Sequence, residues 1–272
     1  MKLIRKILFT VVFLGAVGVM LYSGFQIATV LRDRQESSNA NAKLQEQAVI
    51  AVEKEAPGII INYKKNPDAA AGEESGETEP SEETVPIRVN FDYLHGINED
   101  VAGWIYCEDT PISYPFLQSP DNDYYLYRLV DGTQNPSGSL FLDFRNQFDM
   151  SDWNSVIYGH NMRDGTMFAS LNEYKKQEYY DAHPVMYLLT PEKQYKVELV
   201  AGTLARADAS FYDFPVPEDR REAVVQGWLE ASTFETKAEI QPDDRFVTLS
   251  TCSYEFSDAR YVVIGVLREI EK

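Results

Sequence analysis

Cysteine and histidine are both scarce in this chain of 272 residues. It has two cysteines, Cys107 and Cys252, and three histidines, His95, His160 and His183, which are widely separated. Neither cysteine has a second one at Cys-x-x-Cys spacing, and protein metal sites usually need such ligands close together. The chain also lacks the glycine-rich loop that binds phosphate groups. We therefore predict no metal and no cofactor.

Basic residues are also few. The chain has 25 Lys and Arg against 43 Asp and Glu, a formal net charge of −18. Because nucleic acids are bound through clustered Lys and Arg, this balance excludes nucleic acid as an expected partner. Part of the acidity lies between Asp68 and Glu83, where seven acidic residues and no basic one are mixed with small residues. Such a composition predicts a flexible tether over 32–85, with an acidic binding segment as the alternative. Within the tether, residues 39–55 are rich in Ala, Gln, Glu and Lys and could form a short helix or stalk.

One stretch without any charge, residues 7–31, stands near the start of the chain. As a helix it would be about 37 Å long, enough to cross a hydrocarbon layer of roughly 30 Å. Lys2, Arg5 and Lys6 precede it, so the positive-inside rule leaves residues 1–6 as a cytoplasmic stub and the rest outside. A cleaved signal peptide is the alternative, but the run is longer than the usual apolar core of one and lacks a clear cleavage site.

The remaining residues, 86–272, predict one domain that is mostly β. Helical spacing of apolar residues follows Asn90, and two more helical segments are predicted at 167–175 and 219–231. About eight short strands with few helices between them cannot alternate as βαβ units, which favours a mostly antiparallel barrel with helical additions. The predicted strands are 104–106, 112–116, 139–143, 155–158, 185–189, 195–204, 245–252 and 261–267.

Cys252 and Arg260 stand at the facing ends of the last two predicted strands. If the seven residues 253–259 form a hairpin loop, the thiol and the guanidinium lie on opposite sides of its mouth. Such a pair suits cysteine catalysis, because a nearby permanent cation favours the reactive thiolate. The structural alternative is a disulfide between Cys107 and Cys252, since an even cysteine count is common outside the cell.

His160 is the best placed of the three histidines to exchange protons with such a thiol. It ends the apolar run that begins at Ser155, so it also lies where a buried strand reaches the surface. His95 falls within the first predicted helix, and His183 precedes Pro184 in a polar connection. A purely structural surface histidine remains the alternative for His160.

Three features together resemble a known family. They are Leu249-Ser-Thr-Cys252 followed by Arg260, the upstream Tyr158-Gly-His160 with Asp164-Gly-Thr-Met-Phe168 after it, and the N-terminal anchor. The combination is similar to class B sortases of Gram-positive bacteria. The resemblance covers about residues 86–270 and implies a closed β-barrel with N-terminal helices and a helical insertion between two late strands.

The resemblance also implies an activity and a set of roles. Sortases are cysteine transpeptidases that cleave a C-terminal sorting signal of secreted proteins after threonine and transfer the protein to an amine. That amine belongs to a peptidoglycan cross-bridge or its lipid-linked precursor. By analogy, Cys252 forms the thioester, His160 transfers protons and Arg260 stabilises the oxyanion, while Tyr158, Ser250 and Thr251 bind the signal. A pilin polymerase that uses a lysine amine, and a cysteine peptidase that uses water, remain the alternatives.

Overall fold

The computed structural model describes residues 2–52, 85–207, 209, 212 and 215–270, with side chains from residue 4 onward. Apart from two short 3-10 helices at Tyr125–Tyr127 and Ala169–Lys175, the regular elements of these residues are α-helices and β-strands. In chain order they are α1 Lys2–Ala48, β1 Val49–Ala51, β2 Ile87–Val89, α2 Phe91–His95, β3 Val101–Tyr106, β4 Ser113–Leu117, β5 Leu140–Leu142, β6 Asn154–Tyr158, α3 Gln177–Ala182, β7 Val185–Leu189, β8 Gln194–Arg206, α4 Glu218–Glu230, β9 Phe246–Cys252 and β10 Ala259–Ile270.

Eight of these strands close into a barrel in the order β10-β8-β7-β3-β4-β5-β6-β9. Neighbours are antiparallel except for β4 with β5 and β6 with β9, which run parallel. Closure leaves no strand edge unpaired around the barrel. The prediction of a closed barrel of about eight strands is confirmed, and α4 is the predicted helical insertion between two late strands.

The barrel interior is filled by apolar side chains that alternate along the strands, including Phe116, Val247, Leu249 and Val263, all fully buried. A second apolar cluster lies outside the barrel, where Leu44 and Ala48 of α1 join Trp104 and other residues. A third lies under α4, where Trp228 stacks on Trp153 with ring centroids 5.5 Å apart. The helices α1 and α4 thus pack on the outside of the barrel. The candidate active site lies at the ends of the strands.

Helix α1 changes character along its length. Its N-terminal part has a window of 18 residues with a mean hydropathy of 2.1, none of it buried, so it is long and apolar enough to cross a membrane. Beyond Leu31 the same helix continues to Ala48, and Ser37, Leu44 and Ala48 are buried. The structure thus differs from the prediction of a tether that begins at residue 32. The acidic stretch 68–83 lies outside the described residues, and its flexibility stays a prediction.

The first predicted helix of the domain is shorter than its apolar spacing indicates. Helix α2 ends at His95, and Val101 already begins β3 rather than a third helical turn. Asn90 caps the helix, since its side chain accepts a hydrogen bond from the Tyr93 amide. Because Val101 pairs with Leu117 in the sheet, strand pairing overrides the local helical pattern.

Candidate active site

Cys252 and Arg260 lie directly opposite each other in the antiparallel ladder of β9 and β10. Cys252 is the last residue of β9, and the connecting loop is Ser253–Asp258, one residue shorter than predicted because Ala259 already belongs to β10. The Ser253 amide donates to the Ala259 carbonyl at 2.9 Å and closes the loop. The predicted hairpin is therefore present, with the thiol and the guanidinium at its mouth.

His160 reaches the same end of the barrel through a parallel strand. Tyr158, the last residue of β6, is paired with Ser250 in β9, and the two strands are parallel. Two residues further along each strand direction, the chain reaches His160 and Cys252. The Thr251 hydroxyl donates to the Gly159 carbonyl at 2.8 Å, and the Asn161 side-chain amide donates to the Cys252 carbonyl at 2.9 Å. These two bonds fix the histidine segment beside the cysteine segment.

These strand ends surround one cavity of about 490 Å³. All six residues singled out from the sequence line it, and they meet there although almost a hundred positions separate Tyr158 from Cys252. Eight other lining residues are Asn122, Leu126, Tyr127, Phe141, Arg145, Gly159, Ala207 and Tyr212. Cys252, His160 and Arg260 are all half-buried in this cavity.

The His160 ring is oriented by the backbone of a separate segment. Its Nε2 lies 2.8 Å from the carbonyl oxygen of Leu126, and the Tyr127 ring lies 6.3 Å from the imidazole. A carbonyl can only accept a hydrogen bond, so Nε2 carries the proton and Nδ1 is left as the basic nitrogen of the neutral ring. The acceptor behind this histidine is a backbone carbonyl, whereas papain-like cysteine proteases have an Asn side chain in the triad.

Tyr158 forms one wall of the cavity and is held by a buried carboxylate. Its hydroxyl donates to Asp143 Oδ2 at 2.8 Å, and Arg145 Nε and Nη2 each bind the same carboxylate at 2.9 Å. Burial by itself raises the pKa of Asp143, but hydrogen bonds from Arg145, Asn122 and Tyr158 outweigh it and hold the pKa below its ordinary value. Burial first, and then the Asp143 charge, raise the pKa of Tyr158. Tyr158 therefore stays a neutral donor.

Ser250 and Thr251 shape the floor of the cavity, since each is only 2% exposed. The Ser250 hydroxyl lies 2.8 Å from the hydroxyl of Tyr212, whose ring is 5.9 Å from that of Tyr158. The two tyrosines and the serine thus form a continuous wall. Tyr212 belongs to the segment 211–217 that leads into α4. Of that segment Tyr212 lines the cavity, and residues 211, 213 and 214 lie outside the described part.

Cys107 takes no part in the site. Both cysteines are free, so the alternative of a Cys107–Cys252 disulfide is wrong. Cys107 is 1% exposed, with its Sγ 3.7 Å from the Tyr174 hydroxyl. Burial raises the pKa of this thiol, which keeps it protonated and unreactive.

A charged cluster fixes the loop that follows Cys252. Lys175 Nζ donates to Asn172 Oδ1 at 2.7 Å, to Ser253 Oγ at 2.9 Å and to Glu255. Hydrogen bonds from Lys175 and Ser253 lower the pKa of Glu255 to about 2, so this carboxylate is ionised at neutral pH. The loop is thereby tied to the second 3-10 helix. The sequence did not indicate this cluster, because its members come from two segments with no shared motif.

Gly159, between Tyr158 and His160, has no room for a side chain. A Cβ there would lie 2.4 Å from Leu140 Cδ2 and 2.6 Å from Phe168 Cδ2. We expect Gly159→Ala to lower the free energy of unfolding by about 1–3 kcal/mol, as overpacked sites do, and to reduce activity by displacing His160. Denaturant titration and initial rates measure the two effects.

Gly227 in α4 provides the matched control, because nothing lies within 4 Å of a Cβ at that position. Gly227→Ala should raise stability by roughly 0.5–1 kcal/mol and leave activity unchanged, since alanine is favoured over glycine inside a helix. A Gly159→Ala protein as stable and active as the parent would contradict the packing described here.

Comparison with known proteins agrees with this barrel and cavity. Residues 112–268 match the family model of the sortase domain. Sortase B of Listeria monocytogenes is 32% identical over 257 residues, which cover 93% of this chain and 94% of that protein. The chain therefore belongs to the sortase family and, within it, to class B, and it is a sortase-type cysteine transpeptidase.

Solved structures give the same assignment. A substrate complex of Staphylococcus aureus sortase B superposes with a TM-score of 0.63 at 27% identity, covering 66% of this chain and 85% of that one. Sortase B of Bacillus anthracis in complex with AAEK1 gives a TM-score of 0.67 at 28% identity, covering 88% of this chain and 99% of that one. The second match extends over most of the chain.

Proposed function

We propose that Cys252 is the nucleophile of this transpeptidase, His160 its proton carrier and Arg260 the group that holds the oxyanion. The observation that carries the assignment is the direct pairing of Cys252 with Arg260 at the mouth of a cavity that His160 also lines. Thiolate, imidazole and a fixed donor are what acyl transfer through a cysteine requires.

The proposed reaction has two steps. The Cys252 thiol first gives its proton to Nδ1 of His160. The thiolate then attacks the carbonyl carbon of the threonine in a C-terminal sorting signal, and the C–N bond to the next residue breaks. The departing amine takes a proton from His160, leaving a thioester. An incoming amine then attacks the thioester and gives a proton back to His160, so that a new amide forms and the thiolate returns. The guanidinium of Arg260 faces the carbonyl oxygen in both tetrahedral intermediates.

Tyr158, Ser250 and Thr251 are assigned to the binding of the sorting signal. Tyr158 offers an aromatic face to the peptide, and its neutral hydroxyl is fixed by Asp143. The hydroxyls of Ser250 and Thr251 are engaged by Tyr212 and by the Gly159 carbonyl. We therefore assign these two residues to the shape of the groove rather than to direct hydrogen bonding.

The cellular setting follows from α1. Its apolar part supports a membrane anchor, and the basic residues before that part favour an orientation with residues 1–6 in the cytoplasm and the barrel outside the cell. An extracellular barrel on the membrane suits the joining of secreted proteins to an amine of the cell wall, either a peptidoglycan cross-bridge or its lipid-linked precursor. Such a chain is a surface-protein anchoring enzyme.

The test is capture of the acyl-enzyme from a library of sorting-signal peptides, followed by addition of acceptors. Mass spectrometry should find one peptide acyl group on Cys252, and a cross-bridge amine should release it as a new amide. Release onto a pilin lysine alone would replace wall anchoring by pilin polymerisation. Release onto water alone, with both amines present, would refute the assigned acceptor chemistry in favour of a peptidase.

A further inference from the structure

The exposure of α1 changes within two residues of the end of its apolar run. Up to Leu31 nearly all its side chains are exposed, on every face of the helix. From Asp33 onward one face is covered, with Ser37, Leu44 and Ala48 buried at spacings of three to four residues or their multiples. The catalytic domain therefore contacts the helix from the point where the apolar run ends.

The acidic segment 53–84 does not separate the helix from the barrel. The residues on either side of it are paired, since Ala51 faces Ile87 in the ladder of β1 and β2 and the Val52 amide donates to the Pro86 carbonyl at 2.8 Å. The described residues that flank the segment therefore lie next to each other in the fold. Whatever its conformation, it adds no length between the apolar run and the site.

Hydrogen bonds connect the start of this covered face with the segment that holds His160. The Asn135 side-chain amide donates to the Asp33 carbonyl at 2.9 Å, and the Asn135 backbone amide donates to the Tyr127 carbonyl, also at 2.9 Å. The preceding carbonyl, that of Leu126, holds His160. Burial by itself raises the pKa of Asp164, which lies four residues past His160, but hydrogen bonds from Thr166 and, to a smaller extent, the nearby charge of Arg34 lower it. The cavity-bearing end of the barrel is therefore the end nearest the apolar run.

The segment that makes these contacts exposes two aromatic rings. Tyr124 is 40% exposed and Tyr127 is 51% exposed, and the Arg128 guanidinium lies 4.1 Å above the Tyr124 ring. Tyrosine is enriched at the headgroup level of membranes, where one end of the ring is apolar and the other is hydrated. Asp121 and Asp123 stand next to them, so this face has no excess of positive charge that would select anionic lipids.

From these contacts we propose that the direct junction with α1 holds the cavity-bearing end against the lipid headgroup layer, with Tyr124 and Tyr127 resting in it. The proposal depends on the membrane anchor of the proposed function. Its consequence is that the cavity opens at the membrane surface, with no free tether that would let the domain turn away. A polar headgroup layer is only about 5–8 Å thick on each side of a bilayer, within reach of one side chain.

The test uses the full chain in nanodiscs of phosphatidylcholine, with Cys252→Ala as background so that a fluorophore attaches only to an added cysteine; Cys107 is buried. One probe replaces Tyr127 (Tyr127→Cys). The matched control, Glu192→Cys, lies in the exposed turn between β7 and β8, at the far end of β8 from the cavity. Strand β8 has 13 residues. Its two ends therefore lie about 40 Å apart along the strand.

A nitroxide on the lipid headgroups should quench the probe at position 127 at least about threefold more than the probe at 192. Replacing part of the phosphatidylcholine by phosphatidylglycerol should leave this ratio unchanged. Equal quenching at the two positions would overturn the proposal. A flexible Gly-Ser insert of about ten residues after Leu31 spans roughly 17 Å and should bring the ratio near one. A ratio unaffected by the insert would overturn the role of the junction.

Flotation of the same protein with liposomes separates this proposal from the proposed function. A chain that does not float has no membrane anchor, and the anchoring proposal itself then fails. A chain that floats but shows equal quenching is anchored without the orientation inferred here. Neither measurement depends on transpeptidation, because Cys252 is replaced throughout.

Discussion

Replacing Cys252 by alanine is expected to abolish thioester formation and transpeptidation while the domain stays folded. The assigned nucleophile is the sulfur itself, and no other group at the mouth of the cavity can form a thioester with the substrate. The loss should therefore reach the detection limit in both the acyl-enzyme mass spectrum and the transfer assay. Cys252 is half-buried at a strand end, so removal of its sulfur should cost less than about 1 kcal/mol of stability.

Cys107→Ala is the matched control, because it removes the other thiol of the chain. Cys107 is buried away from the cavity, so this variant should still form the thioester, with some loss of stability from the space that the sulfur fills. Circular dichroism and thermal unfolding report whether each variant is folded. A folded Cys252→Ala protein that still releases the peptide from its sorting signal would refute the mechanism.

The second large effect is expected for Arg260→Lys, although the charge is kept. Arg260 Nη1 donates to the Ala259 carbonyl at 3.1 Å, which directs the planar group while its other N–H donors remain for a substrate. Lysine has a single ammonium group and cannot bind both that carbonyl and an oxyanion in the same geometry. We expect kcat/KM to fall by about a hundredfold or more, the range found when one oxyanion donor is removed.

The control for this variant is Arg268→Lys, on the same strand but at the far end of β10. Arg268 binds Glu198 and Asp244 and does not line the cavity. The Arg268→Lys protein should lose some stability and keep the kcat/KM of the wild type. Steady-state kinetics with one sorting-signal peptide and one amine decide the comparison. Wild-type kcat/KM in Arg260→Lys would mean that charge alone suffices and that the guanidinium fork has no role.

The sequence predicted the strands that carry the site because their local chemistry is unambiguous. The run from Phe246 to Leu249 favours a strand, and the loop after Cys252 is short enough to return the chain as a hairpin to Arg260. A short hairpin loop fixes the register of β9 against β10, so the position of Cys252 opposite Arg260 was predictable. The placement of His160 was predictable only in part, because its neighbourhood depends on the parallel pairing of β6 with β9.

Other parts of the site had no local sequence pattern. Leu126 holds His160 through a backbone carbonyl, and any residue type would offer the same atom. Tyr212 lies in the connection before α4, where nothing nearby indicates which side chain turns toward Ser250. The packing of residues 33–48 on the barrel was also missed, since small and polar residues such as Ser37 and Ala48 resemble those of a solvated linker.

The sequence by itself determined the apolar run at 7–31, the barrel class and the three residues proposed for catalysis, because each depends on local composition or on neighbouring strands. The tertiary structure decided how the site is built and where it lies. The carboxylate behind Tyr158, the carbonyl behind His160 and the contact of Asn135 with Asp33 join segments that are distant in the chain. Such contacts depend on the closure of the barrel, which brings together strand ends that no sequence spacing relates.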